Sequence, residues 1–278
     1  MANPLFPVSN IYDSSLRGNS ALEELRGIFQ YRDLIFQLVR RDIVARYKRS
    51  VLGIAWTMLQ PLGMMTVLTV VFSTLFHQVA GYPAYVLSGL IAFSFFSQTT
   101  TAAIHQIVWG GALLNRIYMP RTAFAISAVG TGLINLVISV VPLIVIILVL
   151  KIPITASILF LPVSIILLTC FSLGVGLILS TVAVSFPDVT EMYQIVLLAW
   201  QYFTPVIYPE KIIPEAYRFW IFTFNPMYYF MKLFRNPIYD GILPDWQTLL
   251  IGTGISLATL FVGWVVFSRN ADQFAYHA

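Results

Sequence analysis

Four stretches of the chain, 54–76, 83–107, 122–150 and 152–187, contain no Asp, Glu, Lys or Arg. A hydrocarbon core of about 30 Å takes about 20 apolar residues of helix, so each stretch is long enough to cross a bilayer. Two further candidates, 192–207 and 248–267, bring the expected count to six, the fifth being short and ending at Pro205. The expected fold is therefore all-α, a polytopic membrane protein with six transmembrane helices forming one domain over 1–278. Within it, 1–53 is read as a cytoplasmic N-terminal segment, 54–267 as the six-span bundle and 268–278 as a cytoplasmic tail.

Hydrophobic residues make up 58% of the chain and charged residues 10%, against about a quarter charged in an average soluble domain. So few charges cannot cover a water-exposed surface. The lone Cys170 lies inside the fourth apolar stretch, which excludes an intrachain disulfide and reads as a small buried hydrophobe. No secretory signal peptide is recognisable, and the first span is expected to act as an uncleaved anchor. Of the 16 basic residues, eleven precede the first span, lie between spans two and three or follow span six. The opposite loops hold Lys151, Lys211, Arg218, Lys232 and Arg235, nearly balanced by Glu210, Glu215, Asp240 and Asp245. Both termini are thus expected on the cytoplasmic side, and the net charge of +4 reflects topology and needs no nucleic-acid partner.

The region before the first span reads as surface helix. Ser20 and Glu23 form a capping-box start, and Leu34, Ile35, Leu38 and Val39 share a face opposite Asp33, Gln37, Arg40 and Arg41. Such a helix would bury its apolar arc at the membrane interface and leave arginines near headgroups. Between spans five and six, Pro205, Pro209, Pro214, Pro226, Pro237 and Pro244 forbid one continuous helix. The spacing predicts two short helices, 214–224 and 226–236, broken at Asn225-Pro226 and rich in rings such as Trp220, Tyr228 and Tyr229. They are too apolar for water and too interrupted to span, which suggests re-entrant or interfacial helices.

No ionisable group stands well inside a span, which argues against proton- or ion-coupled transport. His77 and His105 fall at span ends, and Gly174, Gly176, Ser172 and Ser180 read as a small-residue packing face. Asp188 and Glu191, in the turn between spans four and five, read as helix-capping residues. Without a His, Cys or metal-ligand cluster, neither catalysis nor a metal site is expected, and no cofactor is implied.

Several stretches resemble the membrane subunit of bacterial polysaccharide ABC exporters, the type-2 family that exports O-antigen, capsule or teichoic-acid polymers. The beginning of span one, Arg46-Tyr47-Lys48-Arg49-Ser50-Val51-Leu52-Gly53-Ile54-Ala55-Trp56 with Gln60-Pro61, is similar to the family's Arg-Tyr, Leu-Gly, Trp and Pro pattern. Ser185-Phe186-Pro187-Asp188-Val189 resembles its Phe-Arg-Asp turn, with Pro187 where Arg is usual, and the N-terminal segment is long for the family. Phe203-Thr204-Pro205-Val206-Ile207-Tyr208 and Asn225-Pro226-Met227-Tyr228 match the end of span five and the segment after it.

The resemblance implies a homodimer in the inner membrane with two copies of a separate ATP-binding subunit docked on its cytoplasmic face. It also implies a coupling helix at Asn115, Arg116, Ile117, Tyr118, Met119, Pro120 and Arg121. An interface helix carries Arg40 and Arg41 and leads to Arg46, Tyr47, Lys48 and Trp56, and an outer gate holds Trp220, Asn225, Pro226, Tyr228 and Tyr229.

No Gly-x-x-x-x-Gly-Lys-Ser/Thr loop exists in the chain, so ATP hydrolysis is expected only in the partner. A hydroxyl-rich polymer in hydrocarbon would leave groups unpaired at roughly 2–7 kcal/mol each, so a shielded path is needed, most simply between two copies. Phe93, Phe95, Phe96, Trp200, Tyr202 and Phe203 are candidates for rings along which sugars of a lipid-linked polysaccharide could slide. The competing readings are a type-2 exporter of drugs or lipids, an integral-membrane transferase acting on lipid-linked sugars, which would need clustered His, Asp or Glu, and a structural scaffold.

Overall fold

The computed structural model describes residues 20–48, 50–108 and 121–270, and every element among them is helical. Helix α1 (Ser20–Gln30) and α2 (Arg32–Tyr47) precede α3 (Ala55–Phe72), α4 (Tyr82–Val108) and α5 (Thr122–Val149). A 3-10 turn (Ala156–Phe160) leads into α6 (Leu161–Ser185), followed by α7 (Val189–Phe203), α8 (Glu215–Thr223), α9 (Pro226–Arg235) with a π-helical turn (Asn236–Asp240), and α10 (Trp246–Asn270).

Five of these are long and apolar enough to cross a membrane: α3, α4, α5, α6 with its leading turn, and α10. Their bounds fall within a few residues of the uncharged stretches, because the charges that end each stretch cannot enter hydrocarbon. Helix α7 has 15 residues, about 22 Å of helix, and stops where Thr204 turns extended ahead of Pro205. The two short helices after it start and end close to the expected positions, and Asn225 caps the second by accepting the Met227 N–H at 3.1 Å.

Helix α4 is the centre of the bundle, packed by α5, α6 and α9, while α10 lies along α6. The close approach of α6 and α10 requires Gly174, where a Cβ would stand 2.5 Å from the Thr259 backbone, and Ser172 and Ser180 are buried on the same helix. The small residues of α6 are thus a packing face.

Two expectations need correction. The apolar face of α2 is the one foreseen, but it lies on protein: Leu38 and Leu34 join Ala103, Ile107, Phe124, Leu177 and Phe267 in a second small core, and Val39 meets Gly130. That face is therefore covered by the ends of α4 to α6 and α10, while Phe36 and Val44 of the same helix remain exposed. Asp188 does occupy the position before α7, yet its side chain makes no capping bond, since its backbone is already helical (φ −60°, ψ −22°). The side chains of Ser20 and Glu23 lie outside the described residues.

Candidate functional site

Two adjacent cavities, of about 600 and 760 Å³, run along α3, α4 and α7. They share Arg46, Gln60, Ser94, Gln98 and Gln201. Asn135 and Ser139 of α5 add polar groups to one, and Ser97, Thr101, His105 and Gln194 add them to the other. Ser94, Gln98, Thr101 and His105 recur at helical spacing, so α4 presents one polar stripe, roughly 16 Å long from Ser94 to His105. Gln60, Gln98 and Gln194 are exposed. An amide facing hydrocarbon without a partner costs several kcal/mol by the order of its transfer energy. The stripe therefore suits a hydrated or hydroxyl-lined space rather than lipid tails.

Above the corridor the chain unwinds at 204–208, and the carbonyls of residues 205 to 208 each find a donor. The carbonyl of Pro205 accepts from Arg235 Nη1 at 2.9 Å and that of Val206 from Nη2 at 3.2 Å. The Ile207 carbonyl accepts from the Tyr82 hydroxyl at 3.0 Å and the Tyr208 carbonyl from the Tyr85 hydroxyl at 2.9 Å. Irregular backbone beside a membrane helix is tolerated only when satisfied in this way. Arg235 is only 6% exposed, and its guanidinium lies 3.8 Å from the centre of the Tyr85 ring. Gly89 makes room for it: a Cβ there would stand 2.5 Å from Arg235 Nη2 and 2.7 Å from the Val206 carbonyl.

Asn225 is the second lock. Its side-chain oxygen accepts from Trp200 Nε1 at 2.7 Å, and its nitrogen donates to Thr204 Oγ1 at 3.0 Å, tying the end of α7 to the start of α9. Tyr228 stacks on Phe222 with centroids 4.6 Å apart and donates its hydroxyl to Glu210 at 3.0 Å. Burial, with the Glu210 carboxylate beside it, pushes that hydroxyl well above the ordinary tyrosine range, so it remains a donor.

At the opposite end, Asp42 of α2 accepts from Gln106 of α4 at 2.6 Å, and Gln106 accepts from Ser127 of α5 at 2.9 Å. Thr122 donates to Glu24 of α1 at 2.6 Å. Both flanks of segment 109–120 are therefore bonded to the N-terminal helices.

Of the residues singled out from sequence, Asn115, Arg116, Ile117, Tyr118, Met119 and Pro120 lie outside the described residues, and Arg121 stands at the start of α5. Arg46, Tyr47 and Trp56 line the first cavity, whereas Arg40, Arg41 and Lys48 are exposed and do not line it. Among the rings proposed for a path, Phe96 is fully buried, stacked on Phe171 at 5.2 Å and edge-on to Trp200, and belongs to the core. Phe93 and Phe95 reach the cavities but are each only 4% exposed. Tyr202 and Phe203 are exposed, and Trp200 is engaged by Asn225. Trp220 is exposed and stacked on Phe224, while Pro226 and Tyr229 sit at the α9 cap and against the Thr223 carbonyl. Gln98, Gln194, Gln201 and Arg235 were not singled out, and Gln60 only as part of the span-one pattern. An amide inside an uncharged span is the signal that marks the glutamines, and an arginine among aromatics, far from any carboxylate in sequence except Asp240, marks Arg235.

The profile of the ABC-2 type transporter family matches residues 33–239. The O-antigen export system permease protein RfbA of Myxococcus xanthus is 29% identical over 253 residues, covering 90% of this chain and 97% of the relative. A Klebsiella pneumoniae protein of the same name is 25% identical, with 87% and 94% covered. The polysialic acid transport protein KpsM of Escherichia coli is 24% identical over 84% of this chain and 92% of its own length.

Proposed function

Because the chain belongs to the ABC-2 type transporter family, we propose that it is the membrane permease subunit of an ATP-driven exporter of polysaccharide across a bacterial inner membrane. The observation that carries this reading is the polar stripe of α4, faced by Gln60 of α3 and by Gln194 and Gln201 of α7. It offers hydroxyl groups partners at membrane depth without fixing a charge, as a moving sugar chain needs. An apolar drug or lipid would gain nothing from it.

Two copies face each other across this corridor, with α3 and α7 lining the seam. Helix α7 is the fifth span, shortened because α8 and α9 fold back at the outer face as re-entrant gate helices. Both termini are cytoplasmic, and ATP is hydrolysed by two copies of a separate subunit that engages segment 115–121. Helices α1 and α2, bonded to both flanks of that segment, move with it. Arg46 stands at the inner mouth of both cavities, where a guanidinium fork can pair with a phosphate of a lipid-linked polysaccharide.

In a strain deleted for the gene, surface polysaccharide is expected to vanish and to return on complementation. Joint replacement Gln98→Leu and Gln201→Leu should cut surface polymer at least tenfold while membrane levels of the protein stay unchanged. Undiminished export by the double variant would remove the corridor from the path.

A further inference from the structure

The first corridor cavity, of about 600 Å³, falls in the size class of small-ligand sites, about 300–1,000 Å³. Four carboxamides from four helices line it: Gln60 of α3, Gln98 of α4, Asn135 of α5 and Gln201 of α7. None of the four bonds to another described residue. Asn135 differs from the glutamines in being only 8% exposed. An amide so buried costs stability unless its oxygen and its N–H groups find partners. On the same side of α5 the Ser139 hydroxyl is already spent on the Thr57 carbonyl at 3.2 Å, which leaves Asn135 as the polar group α5 offers to an occupant. Ile91, Phe95 and Leu136, all buried, give the recess apolar walls. Trp56 lines it too, 54% exposed and with no ring stacked on it among the described residues. Arg46 is the one charged group among the described lining residues, so carboxamides more than charge characterise the recess.

We propose that this recess is a subsite for the acetamido group of an N-acetylhexosamine unit, with Asn135 as its specificity-determining residue. That such a unit belongs to the moving polymer rests on the export reading; the preference for the acetamido group rests on the recess. A secondary amide carries its N–H and its C=O on opposite sides, so it takes two partners that stand apart. Asn135 on α5 meets one end, and a glutamine on a facing helix meets the other, since each carboxamide can both donate and accept. The acetamido methyl lies against Ile91, Phe95 and Leu136, and the open Trp56 ring receives the C–H face of the sugar. A hydroxyl in the same place carries donor and acceptor on one atom, reaches only one carboxamide and leaves the apolar wall uncovered. Arg46 leaves room for an acid elsewhere on the sugar, so the discrimination is acetamido against hydroxyl and not neutral against charged.

The test is saturation-transfer NMR on the full chain in lipid nanodiscs, with chitotriose and cellotriose as probes. The two share linkage and ring stereochemistry and differ only by acetamido against hydroxyl at carbon 2. Chitotriose is expected to bind more tightly, with the strongest saturation at its acetamido methyl protons. Asn135→Leu, close in volume and without the amide, should weaken chitotriose about tenfold, as the loss of one hydrogen bond to a buried amide warrants, and leave cellotriose unchanged. Asn135→Gln keeps the carboxamide and should keep the preference. No saturation from chitotriose, equal binding of the two probes, a preference that survives Asn135→Leu, or equal loss of both probes in that variant would overturn the proposal. Loss of surface polymer on gene deletion reports on the export reading separately: with export intact and no preference, only this subsite falls. With the preference present and surface polymer unaffected by deletion, the subsite stands and the export reading falls.

Discussion

Helices α3 and α4 are neighbours in the chain, both uncharged and both apolar enough to span a bilayer, yet 6% of the most apolar stretch of α3 is buried against 72% of that of α4. The difference is what each helix meets. Inside lipid there is no hydrophobic force between helices, so burial follows shape: small residues, aromatic interdigitation and hydrogen bonds decide which helix sits in the middle. Helix α4 carries Gly89, Ser88 and Thr100 at its contacts and inserts Phe96 between Phe171 and Trp200. Helix α3 touches α4 and α5 along one edge, turns Trp56, Met64 and Val67 to the open corridor and leaves Val70 and Val71 outward. A span exposed in this way is available to lipid or to a second copy, whereas α4 is committed within its own chain.

Substitutions graded along this contrast should break or sharpen it. The largest loss is expected for Phe96→Ala, about 3–5 kcal/mol as lost contacts plus an unfilled cavity, read as thermal unfolding of the detergent-solubilised protein. A cost below 1 kcal/mol would show that the α4 core relaxes and that its burial is not the source of rigidity. Arg235→Met should follow, at about 3 kcal/mol or more, because the Pro205 and Val206 carbonyls lose their donors. Arg235→Lys should recover only part of it, since an ammonium cannot reproduce the fork.

Smaller still is the loss expected for Asp245→Ala. Burial alone would raise that carboxyl, but the bonds it accepts from the Thr248 N–H and hydroxyl at 2.9 Å outweigh this and hold it below its ordinary 3.8. A group with a lowered folded pKa stabilises above its unfolded value and ceases to as pH falls through the folded one. The variant should therefore be about 0.5–1 kcal/mol less stable at neutral pH, the usual worth of an N-cap, with the gap closing below pH 3.8. Val70→Ala, at a site 74% exposed, should change protomer stability by less than about 0.5 kcal/mol. If α3 lines the seam as proposed, the same variant should still lower dimer content in cross-linking; unchanged dimer content would make the outward face of α3 a lipid face.

How much was legible follows the same division. Five of the six expected span positions, the break at Asn225-Pro226 and the two short helices after Pro205 were readable, because charge and proline act on the chain within a few residues. The path was misjudged at Phe96, since a ring that stacks on sugar and a ring that stacks on Phe171 have the same sequence signature. Arg235 entered the charge balance as a loop residue, and nothing within ten residues of it announces Tyr85, Ser88 or Pro205 as partners, which lie up to 150 positions away.

The sequence by itself determined that this chain enters a membrane as helices, where those helices begin and end, and which family it resembles. These are properties of transfer from water to hydrocarbon and of local backbone chemistry, which each residue carries wherever it sits. The tertiary structure alone decided that α4 is central and α3 peripheral, that glutamines of α3 and α7 face the polar stripe of α4, and that an arginine closes the unwound segment after α7. Those depend on which side chains arrive at the same point in space, and in lipid, where apolar surfaces attract one another no more than they attract the solvent, only the fit of assembled shapes and hydrogen bonds can choose among arrangements.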